Sequence, residues 1–278
     1  MRAADALRAA VPRLAAAGID EAARDARRLL AHAMAIDPAR LTLHLPDPLP
    51  PEAAARFEAA LAARAARQPV GQIVGERLFW GRRFRVTRDT LDPRPETEGL
   101  IEAALAEPFA TVLDLGTGTG CIAVTLLAER PAAHGIATDL SPAALAVAAE
   151  NAAALGVASR LELRLSDWFA AVPERVDLIL SNPPYIAADE MAALAPEVRL
   201  WEPHLALSPG GDGLDAYRAI ARGAPAHLRP GGRLLLEIGA AQGRAVAGLV
   251  EAAGLARVSV LPDLDGRDRL VSARLPAA

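Results

Sequence analysis

Thr111-Val112-Leu113-Asp114-Leu115-Gly116-Thr117-Gly118-Thr119-Gly120-Cys121 decides how the rest of the chain is read. The apolar residues up to Leu115 have the length and composition of a buried strand. Three alternating glycines follow, which allow a tight turn and a close approach of backbone to ligand. Cys121–Glu129 then reads as a helix. Strand, glycine loop and helix in that order open a βαβ unit.

Working outward, the alternation continues. Gly135–Thr138 is a second strand, with a helix over Pro142–Leu155. Leu161–Leu165, Val176–Leu180 and Arg233–Ile238 are further strands, and Ala241–Ala253 is a helix. Val258–Leu261 and Leu270–Leu275, separated by turn-rich residues, read as a closing hairpin. The fold class is therefore α/β, a Rossmann-like doubly wound sheet of seven strands with the last antiparallel.

The loop reads G-x-G-x-G rather than the dinucleotide fingerprint G-x-G-x-x-G, because residue 121 is Cys. The third glycine that packs a pyrophosphate-binding helix is missing there. No lysine is present to serve a phosphate loop. Asp139 ends the second strand, where an acid can accept both hydroxyls of a ribose. It could equally cap the Pro142 helix. Asp167 and Trp168 follow the third strand, at the height of an adenine ring. Trp168 offers an apolar face and Asp167 an acceptor for the exocyclic amine, although Trp168 could be plain core. Together these residues describe a nucleoside pocket without a phosphate site, the shape that suits S-adenosylmethionine.

After the strand Val176–Leu180 comes Ser181-Asn182-Pro183-Pro184-Tyr185-Ile186. Two prolines stop the strand, and Asn182 before proline is held extended. Loops at the carboxyl ends of parallel strands bind ligands in such sheets. The Asn182 carbonyl and the Pro183 backbone carbonyl can each accept one N–H of a planar amino group, and Tyr185 can lie against its plane. A rigid turn with a buried aromatic is the plainer reading of the same residues.

Residues 1–70 read as four or five short helices. Leu7, Val11 and Leu14 share a face, and Gly18 supplies a stop. Asp20 is placed to cap a second helix bearing Ala26, Leu29 and Leu30. Asp37-Pro38 reads as a cap with proline in the first turn, and Pro51 opens a helix with Phe57 and Leu61. This bundle, with 10 Arg against 8 acids, is either a structural cap or a docking module for a macromolecular substrate. Residues 71–92 form a linker with a hairpin around Gly81, and its four arginines between 82 and 88 could touch phosphate or simply face solvent. Thr97 or a neighbouring acid would cap an apolar helix over 99–106. Residues 93–278 form the catalytic domain.

The 52% hydrophobic and 23% charged residues are enough to bury a core and keep a surface in water. A net charge of −4 gives no global footprint for nucleic acid. All 30 cationic residues are Arg, so catalysis by lysine is excluded. One cysteine rules out an intrachain disulfide, the five histidines lack ligand spacing, and no metal site is expected. With no long apolar run and no signal-peptide pattern, a cytoplasmic protein is expected.

The pieces resemble class I S-adenosylmethionine-dependent methyltransferases, and Asn182–Tyr185 is similar to the tetrad of those that methylate adenine N6 or a glutamine amide. Gln68-Pro69-Val70, Phe79-Trp80-Gly81, Pro93-Arg94-Pro95-Glu96-Thr97-Glu98, the glycine loop, the tetrad and Gly210-Gly211-Asp212-Gly213-Leu214-Asp215-Ala216-Tyr217-Arg218 stand in the order of the peptide chain release factor glutamine N5-methyltransferases (PrmC/HemK family). The resemblance spans nearly the whole chain. It implies methylation of the GGQ glutamine of class 1 release factors, gripped in part by the helical domain. It implies cofactor contacts from Gly116, Thr117, Gly118, Thr119, Gly120, Asp139, Asp167, Trp168 and Asn182, and glutamine contacts from Asn182, Pro183, Pro184 and Tyr185. Asp92 departs from the aliphatic residue expected before Pro93. An adenine-N6 DNA or RNA methyltransferase, a ribosomal-protein glutamine methyltransferase and a non-catalytic binding module are the alternatives; the acidic balance and the intact motifs weigh against them.

Overall fold

The computed structural model describes residues 1–277. The chain divides into two compact units: Met1–Glu76 with Leu194–Trp201, and Arg77–Ala193 with the residues from Glu202 onward.

The first unit is helical. Its main helices are α1 (Ala3–Ala16), α2 (Ala22–Ala33) and α3 (Pro51–Ala65), with short helices at Leu41–His44 and Val70–Val74. Pro51 stands at the start of α3, where its missing N–H costs nothing. Ala10, Leu14, Leu29, Leu30, Phe57 and Leu61 meet in one core. Asp37 accepts the Ala39 N–H at 2.8 Å, as a cap before Pro38 should. Asp20 is not a cap: α2 begins later, with Glu21 at the capping position and no side-chain bond. The helix Pro196–Trp201, remote in sequence, belongs to this unit. Glu197 receives Arg64 at 3.1 Å and Arg67 at 2.9 Å, while Arg64 also holds Asp25 at 2.7 Å. Trp201 Nε1 donates to the Ala66 carbonyl at 3.2 Å.

The second unit opens with a hairpin, β1 (Glu76–Phe79) and β2 (Arg82–Arg85), followed by α4 (Glu98–Leu105). Arg82 pairs with Glu129 and Arg85 with Glu150. The main sheet comprises β3 (Thr111–Leu115), β4 (His134–Asp139), β5 (Leu161–Leu165), β6 (Val176–Ser181), β7 (Leu228–Glu237), β8 (Ala256–Pro262) and β9 (Asp268–Arg274). Their order is β5-β4-β3-β6-β7-β9-β8. The five strands from β5 to β7 are parallel, and β9 runs antiparallel to both β7 and β8.

Helices α5 (Cys121–Glu129) and α6 (Pro142–Ala154) join α4 on one face. On the other lie α7 (Asp215–His227), which the sequence analysis does not assign, and α8 (Gly243–Ala252). Coverage on both faces explains why β3 and β6 read as continuous apolar runs rather than alternating ones. Both strands end on the same side of the sheet, bringing the glycine loop beside the tetrad. Among the described residues no helix is long and apolar enough to cross a membrane.

Candidate active site

The glycine loop is shaped by backbone that only glycine adopts freely. Gly116, Gly118 and Gly120 have φ of +70°, +54° and +78°. The Gly116 and Thr117 N–H groups both donate to the Thr138 carbonyl at 2.9 Å, folding the loop over β4. Asp114 is fully buried beneath it. One of its oxygens accepts the Thr117 hydroxyl at 2.7 Å and the Ala123 N–H at 3.3 Å. Burial nevertheless pushes its carboxyl up to about 6. Gly120 serves packing as well, since a Cβ there would sit 3.1 Å from the Ala148 Cβ. Asn151, which no motif in the sequence marks, donates to the carbonyls of Thr119 (2.9 Å) and Arg85 (3.1 Å) and accepts the Arg85 N–H at 2.7 Å. It locks the loop to the hairpin through contacts 32 and 66 residues apart, which no local pattern announces.

At the end of β4, Asp139 accepts the Gly118 N–H at 2.8 Å and the Ser141 N–H at 2.9 Å, one on each oxygen. Ser141, not Asp139, caps α6, accepting from Ala144 N at 3.2 Å. Asp139 is thereby held in place with lone pairs still open on both oxygens. Trp168 has φ +47°, a strained conformation for a bulky residue. The Ser166 hydroxyl sustains it, donating to the Trp168 carbonyl and accepting from Ala171 N, both at 2.9 Å. Asp167 beside it is exposed.

The tetrad follows β6. Asn182 Nδ2 donates to Thr97 Oγ1 at 3.2 Å. Thr97 occupies the capping position of α4 but makes no capping bond. Its own helical φ and ψ turn the hydroxyl away from the helix N–H groups, which an extended cap residue would reach. The Tyr185 carbonyl accepts Gln242 Nε2 at 2.9 Å, and Ser208 Oγ donates to the Ile186 carbonyl at 2.6 Å. Gly213, at φ +77°, lies so close that a Cβ would fall 2.4 Å from the Tyr185 carbonyl oxygen. That close approach accounts for a glycine in the Gly210–Arg218 stretch.

Buried acids surround this end. Glu202 takes both oxygens to Arg94 Nη2 at 2.6 Å, yet burial still pushes it up to about 7, with Asp92 adding to the rise. Glu237 is likewise pushed up to about 7 by burial, against a hydrogen bond from the Thr97 side chain.

One cavity of about 370 Å³ joins the two ends. Gly116, Thr117, Gly118, Thr119, Asp139, Asp167, Trp168, Asn182 and Pro184 all line it. Gly120, Pro183 and Tyr185 do not. Pro183 is buried, and Tyr185 packs toward the α7–α8 face of the sheet. Asp92, set aside in the sequence as merely unusual, is in the wall. The wall carries Asp89, Asp92, Asp139, Asp167 and Asp215 against one cation, Arg94. Such a lining suits a ligand bearing positive charge and repels a pyrophosphate. A sulfonium nucleoside with a ribose for Asp139 and a base for Trp168 fits these donors and acceptors.

Comparison with known proteins finds relatives along almost the whole chain. A family model for the PrmC N-terminal domain matches residues 5–75, and one for the methyltransferase small domain matches residues 88–214. A release factor glutamine methyltransferase of Rhodospirillum rubrum is 46% identical over 269 residues, 96% of this chain and 83% of the relative. Those of Xylella fastidiosa (47%, covering 91% and 93%) and Moorella thermoacetica (45%, covering 95% of each) are similar to it along almost their whole length. Among solved structures, a methyltransferase of Pyrococcus furiosus shares the fold with a TM-score of 0.55 at 14% identity, over 71% of this chain and 91% of that one. A T. thermophilus 16S rRNA N2 G1207 methyltransferase, solved with AdoMet and guanosine, does so with a TM-score of 0.50 at 19% identity, over 72% and 49%.

Proposed function

From the chain's membership in the release factor glutamine methyltransferase family, we propose that it methylates the amide nitrogen of the GGQ glutamine in class 1 peptide chain release factors. It is an S-adenosylmethionine-dependent methyltransferase. A substrate of translation termination places it in the cytoplasm, and the helical unit is assigned to holding the release factor.

The observation that carries the reading is the placement of Asn182 in the wall of the same cavity as Gly116–Thr119, Asp139 and Trp168. With Nδ2 bound to Thr97, the Asn182 side chain keeps its carbonyl oxygen for another donor. When bound, S-adenosylmethionine supplies an electrophilic methyl group on a sulfonium sulfur. Gly116, Thr117, Gly118 and Thr119 would border the cofactor through backbone, Asp139 would accept its ribose hydroxyls, and Trp168 and Asp167 would meet its adenine.

A carboxamide nitrogen is a poor nucleophile because its lone pair is delocalised. Asn182 Oδ1 would accept one of its N–H bonds and hold the nitrogen in line; the Pro183 carbonyl, the second acceptor of the tetrad, belongs to a buried residue outside the cavity wall. As positive charge grows on that nitrogen, the Asn182 dipole would stabilise it, and a proton then passes to water. Pro184 would border the side chain, and Tyr185, outside the cavity wall, would shape the loop rather than touch the amide. The acidic wall weighs against a polynucleotide substrate. Mass spectrometry of a release factor incubated with enzyme and cofactor tests the reading. The gain of one methylene should map to the GGQ glutamine and vanish in a Gln→Ala substrate; a gain elsewhere, or none, removes the assignment.

A further inference from the structure

We infer that Gln242 is a positioning residue for the methyl transfer. Its side-chain amide ties the last residue of the tetrad to the turn after β7, and so sets where Asn182 stands in the cavity. The inference rests on the reading of Asn182 given above and adds the group that holds its loop.

The need for such a group follows from the tetrad's own sequence. Before it, Ser181 is fixed in β6 between Leu115 and Leu236, and its hydroxyl donates to the Leu115 carbonyl at 2.7 Å. Pro183 and Pro184 have no N–H, so neither can tie its backbone to a neighbour through a donor. Thr97 holds the side-chain amide of Asn182. The backbone of the arc is set from its two ends, β6 and Tyr185. Beyond Tyr185 the chain is stitched down: Ile186 N donates to the Leu207 carbonyl and Ala188 N to the Gly211 carbonyl, both at 3.0 Å. At Tyr185 itself the holding bond comes from Gln242 Nε2, at 2.9 Å.

Gln242 suits this task because its main partners are backbone groups of fixed polarity. Its Oε1 accepts from the Gly239 N–H at 3.0 Å, a group that can only donate, and its Nε2 gives to the Tyr185 carbonyl, which can only accept. The amide therefore has one correct orientation. It bridges the turns that follow β7 and β6, which are parallel neighbours. Tyr217, fully buried, donates to the Glu237 carbonyl at 3.0 Å and reaches Gln242 Oε1 at 3.4 Å, a second donor on that side. Glycines clear the space. A Cβ on Gly239 would lie 2.9 Å from Oε1, and one on Gly213 would lie 3.1 Å from Nε2. Gly213 and Tyr217 both come from the Gly210–Arg218 stretch, which gives that motif a task at the tetrad. Gln242 also stands at the capping position of α8, yet its side chain makes no capping bond there; it is committed to the bridge.

The test compares kcat, the acceptor KM, calorimetric cofactor affinity and thermal melting for wild type, Gln242→Met, Gln242→Glu and Asn182→Ala, with a release factor as acceptor. Gln242→Met keeps the length and loses both bonds. Gln242→Glu keeps the acceptor for Gly239 and turns a second oxygen on the Tyr185 carbonyl. In both, kcat should fall roughly 10- to 100-fold, the scale of a small displacement of a reacting group. Cofactor affinity should stay near wild type. If Gln242→Met melts early, Gln242→Glu carries the same comparison.

A double-mutant cycle separates positioning from plain structural support. If Gln242 acts through Asn182, Gln242→Met should cost less than about threefold in the Asn182→Ala background, read by single-turnover kinetics. The same 10- to 100-fold loss in both backgrounds overturns the inference, as does near-normal kcat in both Gln242 variants; either result, with Asn182→Ala slow, leaves the proposed function standing. Normal turnover in Asn182→Ala overturns the inference together with the role given to Asn182.

Discussion

The two ends of the cavity are built on different plans. At the glycine-loop end, most polar groups find partners close in sequence, Thr117 on Asp114, Ser141 on Asp139 and Gly118 on Asp139 only 21 residues away, with Asn151 the long-range exception. At the tetrad end the contacts reach across the chain, from Asn182 to Thr97 over 85 residues and from Arg94 to Glu202 over 108. The first end presents backbone and a carboxylate already held by two N–H groups. The second keeps two carboxyls, Glu202 and Glu237, whose ionisation burial opposes. Buried ionisable groups are poor sources of stability and good means of fixing position and charge. Under the proposed function, the difference assigns binding to one end and orientation to the other.

The largest effect expected of that division is on Asn182. Asn182→Ala should lower turnover about 10²-fold or more, by the scale of losing one preorganised polar contact, while cofactor affinity changes far less. Equal losses in both, measured by single-turnover kinetics and calorimetry, would erase the distinction between the two ends. Asp139→Ala is the converse experiment. Loss of a charged acceptor should weaken cofactor binding by roughly 10- to 100-fold, with part of that loss coming from Gly118 and Ser141, whose N–H groups it also holds. A variant with unchanged affinity would remove Asp139 from the ribose site.

The binding end was legible in the sequence for the reason it is compact. Asp114 through Gly120, Asp139 and Trp168 are local motifs at strand ends, and β3, α5 and β5 have the very limits their apolar runs suggest. The orienting end was legible only as far as the tetrad itself. Thr97 reads as a helix cap by its neighbours, and nothing local says that its backbone is helical and its hydroxyl committed elsewhere. Glu237 ends an apolar strand like any other last residue, and at the glycine-loop end Asn151 sits mid-helix with no local sign of its contacts to Thr119 and Arg85. Contacts over this many residues are set by the sheet order, not by spacing. The same holds for Pro196–Trp201, whose Glu197 joins Arg64 and Arg67 across some 130 residues.

A smaller effect tests whether the orienting end depends on backbone placement as well as side chains. Gly213→Ala puts a methyl group 2.4 Å from the Tyr185 carbonyl and 3.1 Å from Ala187 N, in a left-handed conformation that alone costs about 1–2 kcal/mol. The tetrad loop must shift, and turnover should drop about tenfold through misplacement of Asn182 and Pro183. Cofactor affinity should hold, since the glycine loop does not touch this contact. Loss of affinity instead would mean that the two ends move as one.

The smallest effect belongs to Asp167, and it sharpens the comparison from within the binding end. Asp139 and Asp167 both line the cavity, but Asp139 is half-buried and anchored by two N–H groups while Asp167 is exposed. An exposed carboxylate that accepts the adenine amine merely exchanges one bond to water for one to the ligand, worth about 0.5–1.5 kcal/mol at most. Asp167→Asn, which keeps an acceptor oxygen, should therefore weaken cofactor binding less than about fivefold. Trp168 beside it is expected to carry the larger share through apolar contact, so Trp168→Ala should exceed Asp167→Asn in the same calorimetric series. The reverse order would place the recognition of the base in the carboxylate, and the binding end would then rely on a directed polar contact much as the orienting end does.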